Sequence, residues 1–600
     1  MRNFAPRAPQ RRSHQPRRWV FRREAPGGAN GAGGMDGTGD NGDALARSLQ
    51  LHPVVARILD ARGMQSPELA RSFLNPKLSD LLDPFLLKDM DLAADRLLRA
   101  VRNRERICVY GDYDVDGLTA TAVMHIVLEA LHGDVFSMIP NRLRDGYGLT
   151  QRALETCQAR GAKVVLTVDN GISAVEEIAW ANRHGLDVIV TDHHQPDAGL
   201  PEAVAVVNPN RPDAYYPHAR LSGAGVAFKL AHALLRISGI PPEEGRNLLG
   251  LLLELVALGT LADIVPLQGE NRILARWGLD RLGRTERAGL RALLDQAGCN
   301  GKPTTAYTVG FVLGPRLNAA GRTADPELSL QLLLSTNPAE AMELARRLDH
   351  LNQERRELEL DILKDSLEFL QTGGRVENDS ILIAQGEGWH FGVLGIVAAR
   401  LVERYNRPVV VLTLEGDIAR GSARSIRGFD IHEALGACKH HLLNYGGHAA
   451  AAGLRLYRNT LDEFRTAINH HARSTLPTDF EPAPIEIDTR VDAAEIDLAL
   501  YNELRALEPH GQENPEPVMA LLGTRLIGTP RIMGDRHLRF QVQAQGRPFS
   551  AIGFNLADCN EICRAGAQNL DIAFSLRLNT WRGDQSLELD VRDLRPGRAN

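Results

Sequence analysis

Between residues 105 and 210, short β-branched runs alternate with helical patterns: "RICVYGD", "AKVVLTVD", "LDVIVTD" and "AVAVVNP". That alternation is the signature of βαβ units, which build a parallel sheet. A parallel sheet delivers the C-terminal end of every strand to one rim, where ligands bind. Here those ends are crowded with acids and imidazoles. One run continues into Asp112, Asp114 and Asp116, the next ends in "VDNGIS" with Asp169, and a third in "TDHH" with Asp192, His193 and His194. "LGTLADIVPL" adds Asp263, an acid inside an apolar stretch. Charges packed this densely need compensation, and carboxylate oxygens with imidazole suit Mg2+ or Mn2+. Singly, each motif has a plainer reading: a helix cap for "VDNG", an exposed loop for "DHH", a helix-terminal acid for Asp263. Convergence on one rim favours the metal.

The chain has 600 residues, room for several domains, and a formal net charge of −6, so an anionic partner must meet a local patch. Its six cysteines (Cys108, Cys157, Cys299, Cys438, Cys559 and Cys563) form no CxxC pair, which fits a reducing cytoplasm without zinc or disulfide framework. No uninterrupted apolar run approaches the roughly 20 residues that span a bilayer. Residues 1–24 carry eight arginines against one acid, and 27–43 are rich in Gly, Asn and Asp. Such composition buries too little apolar surface to fold, so residues 1–43 read as a disordered tail. Its arginines could add phosphate affinity, or Met35 could be the true start.

From 44 to 336 the pattern is one α/β domain, its last third mainly helical. Residues 337–372 read as one charged helix, opened by Asn337-Pro338 and closed by Gly373-Gly374, and a polar helix of that length bridges domains. A smaller α/β domain follows over 373–475, with strands expected at "SILIAQ", "PVVVLTL" and "IARGSARSI". Beyond a Pro-rich junction, closely spaced strands over 476–600 point to a small β-barrel.

"DYDVDG", "VDNGIS", "TDHH" and "LSGAGVAFKL", in this order, resemble the DHH phosphoesterase superfamily. Downstream, "GPRLNAAGR", "GWHFGVLGIVAARL", "GSARSI" and "GGHAAAAG" resemble its DHHA1 domain and the RecJ branch, and "EPHGQENPEPV" extends the match toward the C-terminus. One departure stands out: Glu513 in "GQENP" occupies a position where the family pattern has glycine. The resemblance implies a bacterial, cytoplasmic, single-strand-specific 5′→3′ exodeoxyribonuclease that releases 5′-mononucleotides in DNA recombination and repair. Its architecture would be a parallel-sheet DHH domain, a connecting helix, a DHHA1 domain and an OB-like barrel. A helicase and a single-strand-binding protein would be its partners, no membrane would be involved, and the chain would be a monomer.

Carried onto this sequence, the resemblance implies two divalent cations, Mn2+ or Mg2+. Asp114 and Asp116 would bind separate ions, Asp169 would bridge them, and His193 and Asp263 would complete the shell of one. Asp112 would orient the nucleophile or contact an ion, and Asp192 and His194 would orient ligands or substrate, although Asp192 could simply fix the turn. For the DNA, the residues are Arg316, Asn318, Arg322, His390, Ser422, Arg424, Ser425, Gly447 and His448. Trp389, His390 and Phe391 could form a stacking platform or pack in the core. In the barrel, Arg536, Arg539, Arg547 and Arg577 are backbone-contact candidates, beside the aromatics Phe540, Phe549, Phe554, Phe574 and Trp581. Two rivals are weaker. Small-substrate phosphoesterases of the superfamily are shorter, lack a barrel and open their first motif with histidine, where this chain has Tyr110 and Asp112. A scaffold that has lost catalysis would lack ligands that are all present here.

Overall fold

The computed structural model describes residues 17–22, 40–141, 148–196, 199–372, 375–476, 483–581 and 584–597. The chain divides into two compact units, one of residues 1–77, 481–510 and 514–600, the other of residues 78–480 and 511–513. This differs from the boundary expected at residue 44. Leu45, Val54, Val55, Ile58 and Leu59 share a core with Leu500, Leu507, Phe540 and Phe574 of the C-terminal region. Arg62 seals the match, with Nε 2.9 Å from Asp488 and Nη1 donating to Asn514 Oδ1 at 2.7 Å. An amphipathic helix looks alike in sequence whichever core it joins.

The expected tail also contains structure. "WVF" forms strand β1 (Trp19–Phe21), parallel to the later strand Ile485–Ile487. Three consecutive β-formers were outweighed in the composition reading by the arginines around them. Trp19 is buried, donates Nε1 to Asp593 at 2.8 Å, and lies under the Arg595 guanidinium. Most of residues 1–43, including Met35, lies outside the described residues.

In the larger unit, β2 (Ile107–Tyr110), β3 (Val135–Met138), β4 (Val164–Val168), β5 (Asp187–Thr191) and β6 (Ala205–Val207) form a wholly parallel sheet in the order β3-β2-β4-β5-β6. The central strands β2 and β4 are buried along their whole length, as covered parallel strands are. One helix, Pro242–Ala262, is long and apolar enough by composition to cross a membrane, but Glu254 interrupts its apolar run and 61% of that window is buried inside the protein. The long helix runs from Pro338 to Gln371, with the Asn337 side chain capping its start at Ala339 N–H (2.9 Å). Its first half buries Ala341, Ala345 and Leu348 in the parallel-sheet core, and its second half buries Ile362 and Leu370 in the next core. Gly373-Gly374, its expected stop, lies outside the described residues.

Next come β7 (Leu382–Glu387), β8 (Val409–Glu415), β9 (Ile418–Arg424), β10 (Asn444–His448) and β11 (Ala451–Tyr457), in the order β10-β11-β9-β8-β7. Only β7–β8 is parallel. In the other unit β14 (Met519–Met533), β15 (His537–Ala544), β16 (Arg547–Gly553), β17 (Leu570–Trp581) and β18 (Asp584–Pro596) pair in the order β14-β15-β16-β18-β17, and β14 with β17 closes a five-stranded barrel. β13 (Thr489–Arg490) extends the barrel sheet against β14, while β12 (Ile485–Ile487) and β1 form a separate two-stranded sheet.

The Glu513 departure has a structural counterpart. Glu513 adopts φ +57°, in the left-handed region that glycine occupies most easily, and its carboxylate pairs with Arg220 Nη2 at 2.8 Å. An acid therefore occupies a backbone conformation suited to glycine. Because β1 is integral to the barrel unit, Trp19→Ala in the full chain should cost about 3 kcal/mol in that unit's unfolding. Denaturant unfolding checks this; an unchanged first transition would show that β1 carries no stability.

Candidate metal centre

The site grows from the strand ends. Asp114 caps the helix Val115–Ala130, its Oδ1 accepting the Asp116 and Gly117 N–H groups at 2.9 and 3.1 Å, which leaves the other oxygen for a cation. Asp116, one residue into that helix, is buried and receives the Gly223 and Ala224 N–H groups at 2.6 and 2.9 Å. This is the work of "LSGAG": the N-terminus of the helix Gly223–Ile237 fixes one carboxylate from across the sheet. Glycine is required there, because a Cβ on Gly223 would lie 2.4 Å from Asp169 Oδ1. On the facing helix, a Cβ on Gly259 would lie 2.4 Å from Asp116 Oδ1.

Asp169 follows β4 with φ +62°, a strained position for a non-glycine residue, and its Oδ1 is buried without a hydrogen bond. His193, after β5, sets Nε2 3.0 Å from Asp169 Oδ1, 3.6 Å from Asp263 Oδ2 and 3.8 Å from Asp116 Oδ2. Asp263 ends the helix Pro242–Ala262. Three donor groups result, each with its ligand atoms within 4.8 Å of one another: Asp112, Asp114 and Asp169; Asp116, His193 and Asp263; and Asp169, His193 and His194. Every metal-ligand candidate from the sequence is brought together, and Asp112 joins the ligand atoms themselves.

Electrostatics define what the site lacks. Burial, then the charges of Asp116 and Asp114, raise the Asp169 carboxyl well above its usual range. Burial, then Asp116, pushes Asp263 up to about 7. Burial also raises Asp116, with Asp114 adding to it against the opposing pull of His193. Acids raised in this way want a cation or a proton, and an oxygen-rich set with one imidazole fits a hard divalent ion.

Asp192 is not aimed at that ion. Its Oδ1 accepts the His193 and His194 N–H groups and His194 Nδ1 at 2.7, 3.1 and 2.7 Å, and its Oδ2 accepts Ile172 N–H at 3.0 Å. Both roles weighed for it meet here: Asp192 fixes the turn through the His193 and His194 backbone N–H groups and holds the His194 ring directly. Burial opposes the charge on His194, but Asp192 outweighs it and lifts the imidazole to about 9. Asn208 and Asn210, which donate to the His194 and His193 carbonyls, were missed. Their only signal was the polar end of the run "VVNPN".

The DNA candidates divide. Arg316 is committed to Asp349 at 2.8 Å and the Val312 carbonyl at 2.7 Å, which argues against the phosphate role expected for it. Ser425 donates to the Phe429 carbonyl, and Trp389 is buried in the core. His390 caps the helix Phe391–Tyr405 through Nδ1 instead of offering a stacking face. Ser422 and Arg424 share β9, joined by Arg424 Nη1–Ser422 Oγ at 2.9 Å, and cross-strand register sets Ala451 opposite Arg424 and His448 opposite Ala451. Gly447, in β10, has φ +139°. Asn318 is half-buried, and Arg322 reaches the Gly392 carbonyl at 3.2 Å. In the barrel Phe540, Phe549 and Phe574 are core, and Arg547 binds the Ala493 and Ile496 carbonyls. Arg539 lies 3.4 Å from Glu588, while Arg577 stacks over the exposed Phe554. The Trp581 side chain lies outside the described residues.

Comparison with known proteins assigns the class first: residues 106–260 match the DHH family N-terminal domain and 378–474 the DHHA1 domain, so the chain is a DHH-type phosphoesterase with its DHHA1 partner domain. Residues 487–593 match the RecJ OB domain. The single-stranded-DNA-specific exonuclease RecJ of Bacillus subtilis is 39% identical over 558 residues, spanning 92% of this chain and 69% of that one. That of Escherichia coli is 37% identical over 565 residues, spanning 91% and 96%. The crystal structure of Thermus thermophilus RecJ with Mn2+ superposes with a TM-score of 0.79 at 31% identity, covering 93% of this chain and 78% of that one. The chain belongs to the RecJ family of single-stranded-DNA-specific exonucleases.

Because burial and then its neighbours' charges raise Asp169, Asp169→Asn should be neutral or stabilising without metal, and should lose the rise in Tm that Mn2+ gives the wild type. A saturating ion adds about 2.7 kcal/mol at a hundred times its Kd. Thermal unfolding with EDTA and with Mn2+ tests both halves; a retained Mn2+ shift would remove Asp169 from the ligand set.

Proposed function

We propose that this exonuclease digests single-stranded DNA from the 5′ end, releasing 5′-mononucleotides, with two divalent cations, Mn2+ or Mg2+. The observation that carries the reading is the pair of adjoining donor groups: Asp112, Asp114 and Asp169 would hold one ion and Asp116, His193 and Asp263 the other, with Asp169 and His193 3.0 Å apart where the two groups meet. Two ions, when bound, would neutralise these carboxylates, draw charge from the scissile phosphate and ionise the attacking water near neutral pH. The rest is done by the chain's own groups. The N-terminus of the helix Gly223–Ile237 keeps Asp116 in place, and Asp192 anchors the His193 backbone and the His194 ring. His194, held charged by Asp192 beside Asp169, is placed to meet an anionic substrate.

Polarity rests on the second sheet of the same unit. Gly321 packs so closely on the acid loop that a Cβ there would lie 2.9 Å from the Tyr113 carbonyl, and the next residue, Arg322, grips Gly392. The Ser422–Arg424 edge is thereby tied to the metal loop by a short chain of contacts, and its donors suit a terminal phosphate. Cytoplasmic DNA recombination and repair, with a helicase and a single-strand-binding protein as partners of a monomeric chain, follows from the family resemblance.

Digestion of single strands labelled at one end or the other, with duplex controls, tests the polarity. The 5′ label should appear at once as a mononucleotide in Mn2+ or Mg2+, with duplex spared and EDTA silencing the reaction. Asp114→Ala should abolish hydrolysis and retain DNA binding. Early release of the 3′ label would overturn the polarity.

A further inference from the structure

The sheet β10-β11-β9-β8-β7 buries Ala419 and Ala423 of β9 and Leu454 and Leu456 of β11 in its core, so the alternate residues of both strands point to its other face. On that face Arg420 of β9 stands directly opposite Arg455 of β11, and Asn444 of β10 stands opposite Arg455 on the far side. Like charges paired across an antiparallel ladder repel. Glu415 relieves one of them, 2.9 Å from Arg420; Arg455 is exposed and has no carboxylate partner among the described residues. Between them the sheet has no side chains to speak of. Gly421, Gly446 and Gly453 floor a cavity of ≈ 440 Å³ lined by Phe391, Arg420, Asn444, Tyr445 and Arg455. The Arg420 guanidinium lies 4.7 Å from the centre of the Phe391 ring, which walls one side.

The cavity neighbours the edge proposed above for the terminal phosphate. Arg420, Ser422 and Arg424 follow at two-residue steps along one face of β9, and Phe391 begins the helix whose Gly392 receives Arg322. An electropositive, flat-floored cavity with an aromatic wall, one strand position beyond a phosphate edge, matches a nucleotide. We propose that it is a second nucleotide subsite, separate from Ser422, Arg424 and His448, in which Arg420 and Arg455 clasp a phosphate and Phe391 offers its apolar surface to the base. This rests on the exonuclease reading. The nucleotide comes either from the strand itself or from the released mononucleotide; both bring the same phosphate and base.

Binding of dAMP to the full chain in EDTA, which takes the metal centre out of the measurement, tests the subsite. Two dAMP molecules per chain are expected for the wild type and one for Arg455→Gln, with deoxyadenosine failing to bind. Kinetics in Mn2+ then separate the sources. A strand nucleotide predicts a KM for single-stranded DNA raised at least about tenfold in Arg455→Gln, the scale of one lost charge-assisted hydrogen bond. Released product predicts the same rise in the Ki of dAMP with KM unmoved. Equal dAMP stoichiometry, KM and Ki in the two proteins would remove the subsite and leave the exonuclease standing. A wild type that digests no single strand would instead remove the reading beneath it.

Discussion

Buried like charge is the constraint around which this unit is built. Asp116 and Asp169 are buried together, Asp114 and Asp263 border them, and one imidazole, His193, touches three of the acids. Such a cluster is tolerable only with a cation in it or protons on it. Much of the surrounding architecture serves to hold it. One helix N-terminus grips Asp116, a strained backbone holds Asp169, and a buried carboxylate, Asp192, orients the His194 imidazole and fixes the turn that carries His193. Removing the acids would leave these devices without purpose, which is why the "LSGAG" segment, lacking any ligand of its own, belongs to the site.

The parallel sheet and its acid rim were legible because strand ends are fixed by periodicity, and periodicity survives in sequence. The long helix was legible for the same reason, with Asn337 as its cap. Side-chain commitments were less visible. Arg316 reads as a phosphate donor until Asp349, 33 residues away, is seen to hold it. Asp192 reads equally as an orienting group or a turn-fixing one until four donors are seen to converge on it. Trp389 left two readings open that only burial separates. Residues 40–77 were misassigned because a helix's apolar stripe does not name the core it enters, and β1 was hidden within an arginine-rich composition.

The subsite at Arg420 and Arg455 had no sequence signal, since the two residues are 35 positions apart and meet only through strand register. Glu513 shows the reverse: the sequence flagged an anomaly, and the backbone there lies in the left-handed region that glycine occupies most easily. Both cases turn on backbone geometry, which residue identity reports indirectly.

The central claim is that the shared rim holds two divalent ions across Asp169. Counting Mn2+ bound per chain by equilibrium dialysis, with electron paramagnetic resonance on the same samples, tests it directly. The account predicts two ions per chain with a spin-coupled signal, and loss of that coupling in Asp169→Asn. A single uncoupled ion at saturation would contradict it.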